Sequence, residues 1–181
     1  HPVRYEMMAI LAEKASLPTA ELAAIVEQHA LFLESGGAGG RWETFRTPGG
    51  LETGVVIGVY VKTTAGGDRG AQANLGHKRL AGPGLRGIRL PYANLVGVTC
   101  IGQDLSGADL EGSLLVDSDL SGSLLCGADL AHADLSRADL RGCDLREADL
   151  TGADLENADL TGSHLGGSRR EGARIPGTWL E

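Results

Sequence analysis

The chain has 181 residues, enough for one sizeable domain or one domain with an appendage, and carries a net charge of −8 at a pI near 5.1. That balance argues against a basic nucleic-acid-binding surface and against anionic membranes, and no apolar run approaches the roughly 20 residues of a membrane span. Aromatics make up only 4% of the chain and there are 28 glycines, so small aliphatic side chains must fill the interior.

The chain opens His1-Pro2 without an initiator Met, which is read as a start other than the native one. No basic-then-apolar signal segment is present, so the expected location is the cytoplasm. Cys100, Cys126 and Cys143 are an odd set without C-x-x-C spacing and indicate neither a disulfide framework nor a zinc knuckle.

In chain order, residues 1–72 read as an N-terminal capping region. Thr19 is an N-cap candidate for an amphipathic helix over about 19–35, with Leu22, Ile25, Val26, His29, Phe32 and Leu33 along one face and Gly36-Gly37 ending it. His29 sits on the apolar stripe, where a buried, hydrogen-bonded histidine is a better reading than a ligand. The segment GVVIGVYV has strand character over about 54–62, after the turn signal TPGG. Helix and strand pair together are expected to cover the open edge at the start of residues 73–181. Residues 62–72 read as a flexible linker.

From residue 73 to 181 the chain is periodic. It holds 21 leucines, of which 19 stand at positions divisible by five; only Leu114 and Leu124 fall off the grid. Two residues before each grid position, from Ala108 to Thr178, all fifteen side chains are small. Asp precedes the grid residue at ten positions, from Asp104 to Asp159, and Gly dominates two residues after it. A period of five fits neither helix nor strand. It does fit a chain that turns a corner every five residues, with the Leu and the small residue pointing inward. Such a chain coils into a solenoid whose backbone hydrogen bonds run between coils at roughly 4.8 Å. Asp before Leu can bond local backbone in a turn, and Gly accepts the dihedrals of the corner.

The A-D-L-x-x unit, clean in AHADLSRADLRGCDLREADLTGADLENADLTG, resembles the pentapeptide-repeat family over residues 73 to about 165. The resemblance implies a mainly β fold: a right-handed, four-sided β-helix with four pentapeptides per coil, so that residues 20 apart stack in columns. HALFLESGGAGGR (His29 to Arg41) is similar to the helix-plus-glycine lead-in that often precedes the repeats in that family. Here about thirty further residues, 42–72, stand between. Lys78 and Pro83 replace small inward residues in the first coil, and Arg170 stands where Leu belongs near the other end. Arg170, Trp179 and Leu180 read as a C-terminal cap, with a homodimer contact through Trp179 and Leu180 as the alternative.

No enzyme is expected. The carboxylates recur at one position of every repeat, on an outer surface with no pocket implied. His77, His132 and His164 give no convergent ligand set, and no nucleophile stands beside a base. No cofactor and no metal are called for. The partner is expected to be another protein rather than nucleic acid or a membrane. Residues 103–165 carry 14 acidic side chains and 3 arginines, a net of −11. Over about 15 Å of axis that is about 0.7 charges per Å, beside about 0.6 for duplex DNA. One branch of the family, acidic proteins that bind DNA gyrase and protect it from its poisons, would place binding on two outward columns: Asp109, Asp129, Asp149 and Asp119, Asp139, Asp159. The alternative is a general interaction scaffold. Val96, Leu114 and Val116 are expected to form an outward apolar patch on one face, open to a partner or a second copy or else covered by the 54–61 strand.

Overall fold

The computed structural model describes residue 17 and residues 19–37, 41–46, 56–61 and 72–176. Most of the linker, together with Trp179 and Leu180, lies outside them.

The amphipathic stretch forms α1, Thr19–Phe32, and a π turn, Leu33–Gly37, follows it. The strand expected near residue 54 is β2, Val56–Val61. It pairs antiparallel with β1, Arg41–Arg46, in a register that sets Trp42 opposite Tyr60 and Phe45 opposite Ile57.

From Gln72 onward the chain coils with a 20-residue period. Sixteen isolated bridges run from Asn74↔Asn94 to Asp154↔Arg174, every one parallel and every one between residues 20 apart. Each side of a coil is one pentapeptide. In the unit around Leu125, the Ala128 N–H donates to Leu125 O at 3.0 Å and closes a β-turn whose third residue, Gly127, has φ 65°. Positive φ at that place is the requirement of a type II turn, which is why Gly recurs there. The next coil is bonded on both edges: Leu130 N–H donates to Asp149 O and Asp129 N–H to Ala108 O, each at 2.8 Å.

Inside, the leucine column from Leu75 to Leu160 and the alanine, serine and cysteine column are almost wholly buried. Leu165, Ala173 and Ile175 in the last described coil are only partly buried. At the other end α1 lies against the first coil: Leu17 and Leu22 belong to the same buried cluster as Leu75 and Leu80. His29 is fully buried and joins two segments of backbone. Its Nε2–H donates to Pro91 O at 2.7 Å, while Nδ1 accepts the Ala73 N–H at 3.0 Å, and the ring stacks on Phe32 at 5.2 Å.

Two outcomes depart from the pattern. Lys78 and Pro83 are exposed rather than inward. The chain instead bulges through Ala81-Gly82-Pro83-Gly84, where Gly82 and Gly84 take φ near 110° and 105°. Val96, Leu114 and Val116 do gather on one face, but they are 4%, 0% and 2% exposed. Burial this complete on the outer side of a coil means the face is closed within the chain, so it is not an open apolar patch.

Candidate surface: the carboxylate columns

Nine of the ten aspartates that precede a grid leucine first serve their own turn. Asp129 Oδ1 accepts the Ala131 N–H at 3.0 Å, and Asp119, Asp134, Asp139, Asp149 and Asp159 make the same bond to the residue two ahead, at 2.9–3.1 Å. That bond orients the carboxylate and leaves Oδ2 turned outward, so the columns follow from turn chemistry.

The two expected columns form as stacks. Asp109, Asp129 and Asp149 bridge in sequence on one face, and Asp119, Asp139 and Asp159 on another. Ten residues are half a coil, so the two columns stand on opposite faces and one flat partner cannot lie on both. Leu114, Asp134 and Asp154 fill the face between them on one side, and Asp104, Leu124 and Asp144 the face on the other. Leu124 and Ile101 are exposed there, at 45% and 47%.

Arginines claim most of the outward oxygens. Arg141 binds Asp139 through Nε and a terminal nitrogen at 2.8 and 2.5 Å and reaches Asp159 at 3.8 Å. Arg146 holds Asp144 in the same fork, and Arg137 grips Asp117 one coil back. From the coils flanking the acidic band, Arg86, Arg89, Arg169 and Arg174 pair with Asp104, Asp109, Asp149 and Asp154. Eight of the eleven aspartates between 103 and 165 are therefore ion-paired. The Arg146 guanidinium holds the Asp144 carboxyl down to about 2, and Arg141 lowers Asp139. For Asp159 the lowering comes first from the hydroxyl and N–H of Thr161. Among the described residues Asp119, Asp129 and Asp134 have no arginine at ion-pair distance, and all three fall within one coil.

These exposed pairs contribute little stability each. Their effect is on the field. Residues 72–176 carry 15 acidic and 10 basic side chains, a net of −5. Spread over about 25 Å of axis, that is about 0.2 charges per Å, a third of the value for duplex DNA. The periodicity exposed the columns. It did not expose the pairing, although Arg169 and Asp149, 20 apart, could have been matched from the coil length alone.

Two of the three cysteines, Cys100 and Cys143, are buried inside the coils, and Cys126 is half-buried. Burial pushes the Cys100 thiol up to about 12 and the Cys143 thiol up to about 11, and Cys143 Sγ–H donates to Leu120 O at 3.0 Å. Among the described residues no helix is long and apolar enough to cross a membrane.

The family model for pentapeptide repeats matches in eight copies, over residues 93–130 and 128–167. A pentapeptide repeat protein from Nostoc PCC 7120 is 39% identical over 42% of this chain and 64% of its own length, with a TM-score of 0.40. A pentapeptide repeat protein of the Arabidopsis thaliana thylakoid lumen is 34% identical over 51% of this chain and 70% of its own, with a TM-score of 0.21. A trypsin-treated form of QnrB1, a plasmid-mediated fluoroquinolone resistance protein, is 19% identical over 61% of this chain and 69% of its own, with a TM-score of 0.28. The chain thus spans just under two thirds of the Nostoc protein. No curated protein matches it. With the five-residue grid, the 20-residue coil and the eight matched copies in agreement, the chain belongs to the pentapeptide-repeat family, whose fold is the right-handed β-helix.

Proposed function

We propose that this protein is a non-enzymatic binding module: an acidic β-helical rod that docks on a cation-bearing surface of another protein. The observation that carries this reading is the stack Asp109, Asp129, Asp149, held at the spacing of a β-ladder by bonded backbone. Side chains so fixed lose little freedom on binding, so their charge is preorganised for a partner. In its sharpest form the partner is the DNA-binding surface of a type II topoisomerase such as DNA gyrase, with the rod standing in for DNA and protecting the enzyme from its inhibitors.

A second reading, a scaffold for a partner unrelated to topoisomerases, is favoured by the arginine pairing. It leaves the rod with about a third of the charge density of DNA, and among the described repeat aspartates only Asp119, Asp129 and Asp134 without an arginine ion pair.

Supercoiling by purified gyrase, titrated with this protein with and without a gyrase poison, separates the two. Inhibition or rescue at micromolar protein, lost in Asp129→Asn/Asp134→Asn, supports the topoisomerase reading. Asn keeps the turn acceptor and removes only the charge, so the fold is preserved. No effect in either arm leaves the scaffold. Replacing Asp119 alone then tests whether the opposite face binds.

A further inference from the structure

Between α1 and the first coil runs a groove of about 490 Å³ that the repeat pattern does not account for. The Ala81–Gly84 bulge supplies part of its wall through Pro83 and Gly84. The first coil is bridged at Asn74, Arg79 and Arg89, but among the described residues no bridge joins Gly84 to Asp104. Gly82 N–H donates to the side chain of Gln103 instead, at 3.0 Å.

One wall is a stripe of α1 that includes Ala23, Val26 and Ala30, spaced three and four residues apart and so aligned along the helix. The facing wall carries Pro83 and Ile88. The lining is mostly apolar, and the volume is that of a site for a small organic molecule.

The polar groups are unevenly placed. The coil wall carries Arg86 and Arg89, and the helix wall Glu27. The two arginines are among the least engaged in the repeats. Each reaches a single carboxylate at 3.5 Å, Arg86 to Asp104 and Arg89 to Asp109, with side chains 76% and 72% exposed. Each guanidinium has five donors in a fork matched to a carboxylate, so nearly all that capacity is unused. The first coil, 72–91, holds Lys78, Arg79, Arg86 and Arg89 and no acidic residue.

We propose that this groove binds a small aliphatic carboxylate, its chain along Ala23, Val26 and Ile88 and its head on Arg86 and Arg89. Glu27 repels the head from the helix side and so fixes the ligand's direction. The site lies at the first coil, apart from Asp119, Asp129 and Asp134, and stands independently of the docking function proposed above.

Calorimetric titration of the full chain with octanoate, and separately with 1-octanol, tests it. Octanoate is expected to bind at least tenfold more tightly than octanol. Arg86→Gln/Arg89→Gln should weaken octanoate tenfold or more and change octanol by less than twofold, while Ala23→Trp, which fills the groove, should abolish both. Both arginines are exposed, so an unchanged melting temperature is expected and certifies the fold of the double variant. Equal binding of acid and alcohol, octanoate binding that survives the double substitution, or no binding at all would each overturn the proposal. So would a dimer in sedimentation that Ala23→Trp converts to monomer, because the groove's occupant would then be a second copy.

Discussion

The interior coils and the first coil bury the same kind of leucine by different means. Leu130 lies between two coils of its own kind. Its N–H bonds the coil above at Asp149 O, the adjoining Asp129 bonds the coil below at Ala108 O, and the small residues Ala128 and Ala133 stand beside it. Leu80 has a coil on one side only. On the other, Leu17 and Leu22 belong to the same buried cluster, and α1 is tied on by His29 and by the bond from Leu17 N–H to Arg79 O at 2.7 Å. Repetition makes each interior coil the template for the next. The first coil has no such template, so irregular sequence holds it through a few specific bonds. A five-residue rule therefore governs the middle of the molecule, and individual residues govern the end.

The largest effect that would break this comparison is expected in the middle. Leu130→Ala should cost about 2–5 kcal/mol in denaturant unfolding, since the leucine is fully buried and the coils cannot collapse onto the space. Leu165→Ala, at a partly buried site in the last described coil, should cost less than half as much. Equal losses would mean that the ends are as tightly held as the interior. Next comes Gly112→Ala. Gly112 has φ 58°, and a Cβ there would stand 2.5 Å from the Tyr92 ring. Tyr92 packs on Phe32 of α1 and donates its hydroxyl to Glu111 at 2.9 Å, so the clash is passed to the helix contact. A loss of about 2–3 kcal/mol is expected, with hydrogen exchange rising first in α1.

Acid should separate the two regions further. Burial lowers the pKa of His29 against smaller opposing pulls, first from the bond to Pro91 O and then from the Asp109 charge, and Nδ1 can accept the Ala73 N–H only while the ring is neutral. A folded pKa below the unfolded value of 6.5 means the unfolded chain binds more protons. The stability tied to His29 is therefore fully present above about pH 6.5 and is lost as pH falls toward the folded value. Asp144 is held at about 2, so its contribution persists to far lower pH and is lost only between its unfolded value, about 4, and 2. Amide exchange at pH 5 should show lost protection at Ala73 and through α1, with the coils around Leu130 unchanged. Parallel loss in both would show that α1 and the coils open as one unit.

How much of this could be read in advance follows the same division. The leucine grid and the small column located Leu130, Cys100 and Cys143 inside, because a narrow core admits one large and one small side chain per corner. His29 could be placed on a buried stripe, but not its partners Pro91 and Ala73, which are 62 and 44 residues away in sequence. The apolar character of Val96, Leu114 and Val116 was legible while their burial was not, since a five-residue period says which side of the coil a residue takes and not what covers that side. The charge of the acidic band was overestimated because arginines in flanking coils, Arg89 and Arg169, belong to the same columns as Asp109 and Asp149.

The smallest effect expected is a gain. Ser113 and Ser118 take the inward small position, and their hydroxyls are buried without a hydrogen-bond partner. Ser123, the next serine of that column, donates its hydroxyl to Cys100 O at 2.5 Å, so a serine there is not inherently orphaned. An orphaned hydroxyl keeps its desolvation cost without the bond that would offset it. Alanine, the commonest residue of the column, lacks only the oxygen, so Ser118→Ala should stabilise the fold by about 1 kcal/mol in denaturant unfolding. Ser123→Ala should do the reverse, because it frees the Cys100 carbonyl. If both changes stabilise, the interior tolerates an unpaired carbonyl better than an unpaired hydroxyl; if neither moves the midpoint, water reaches the column and the coil interior is less dry than its burial indicates.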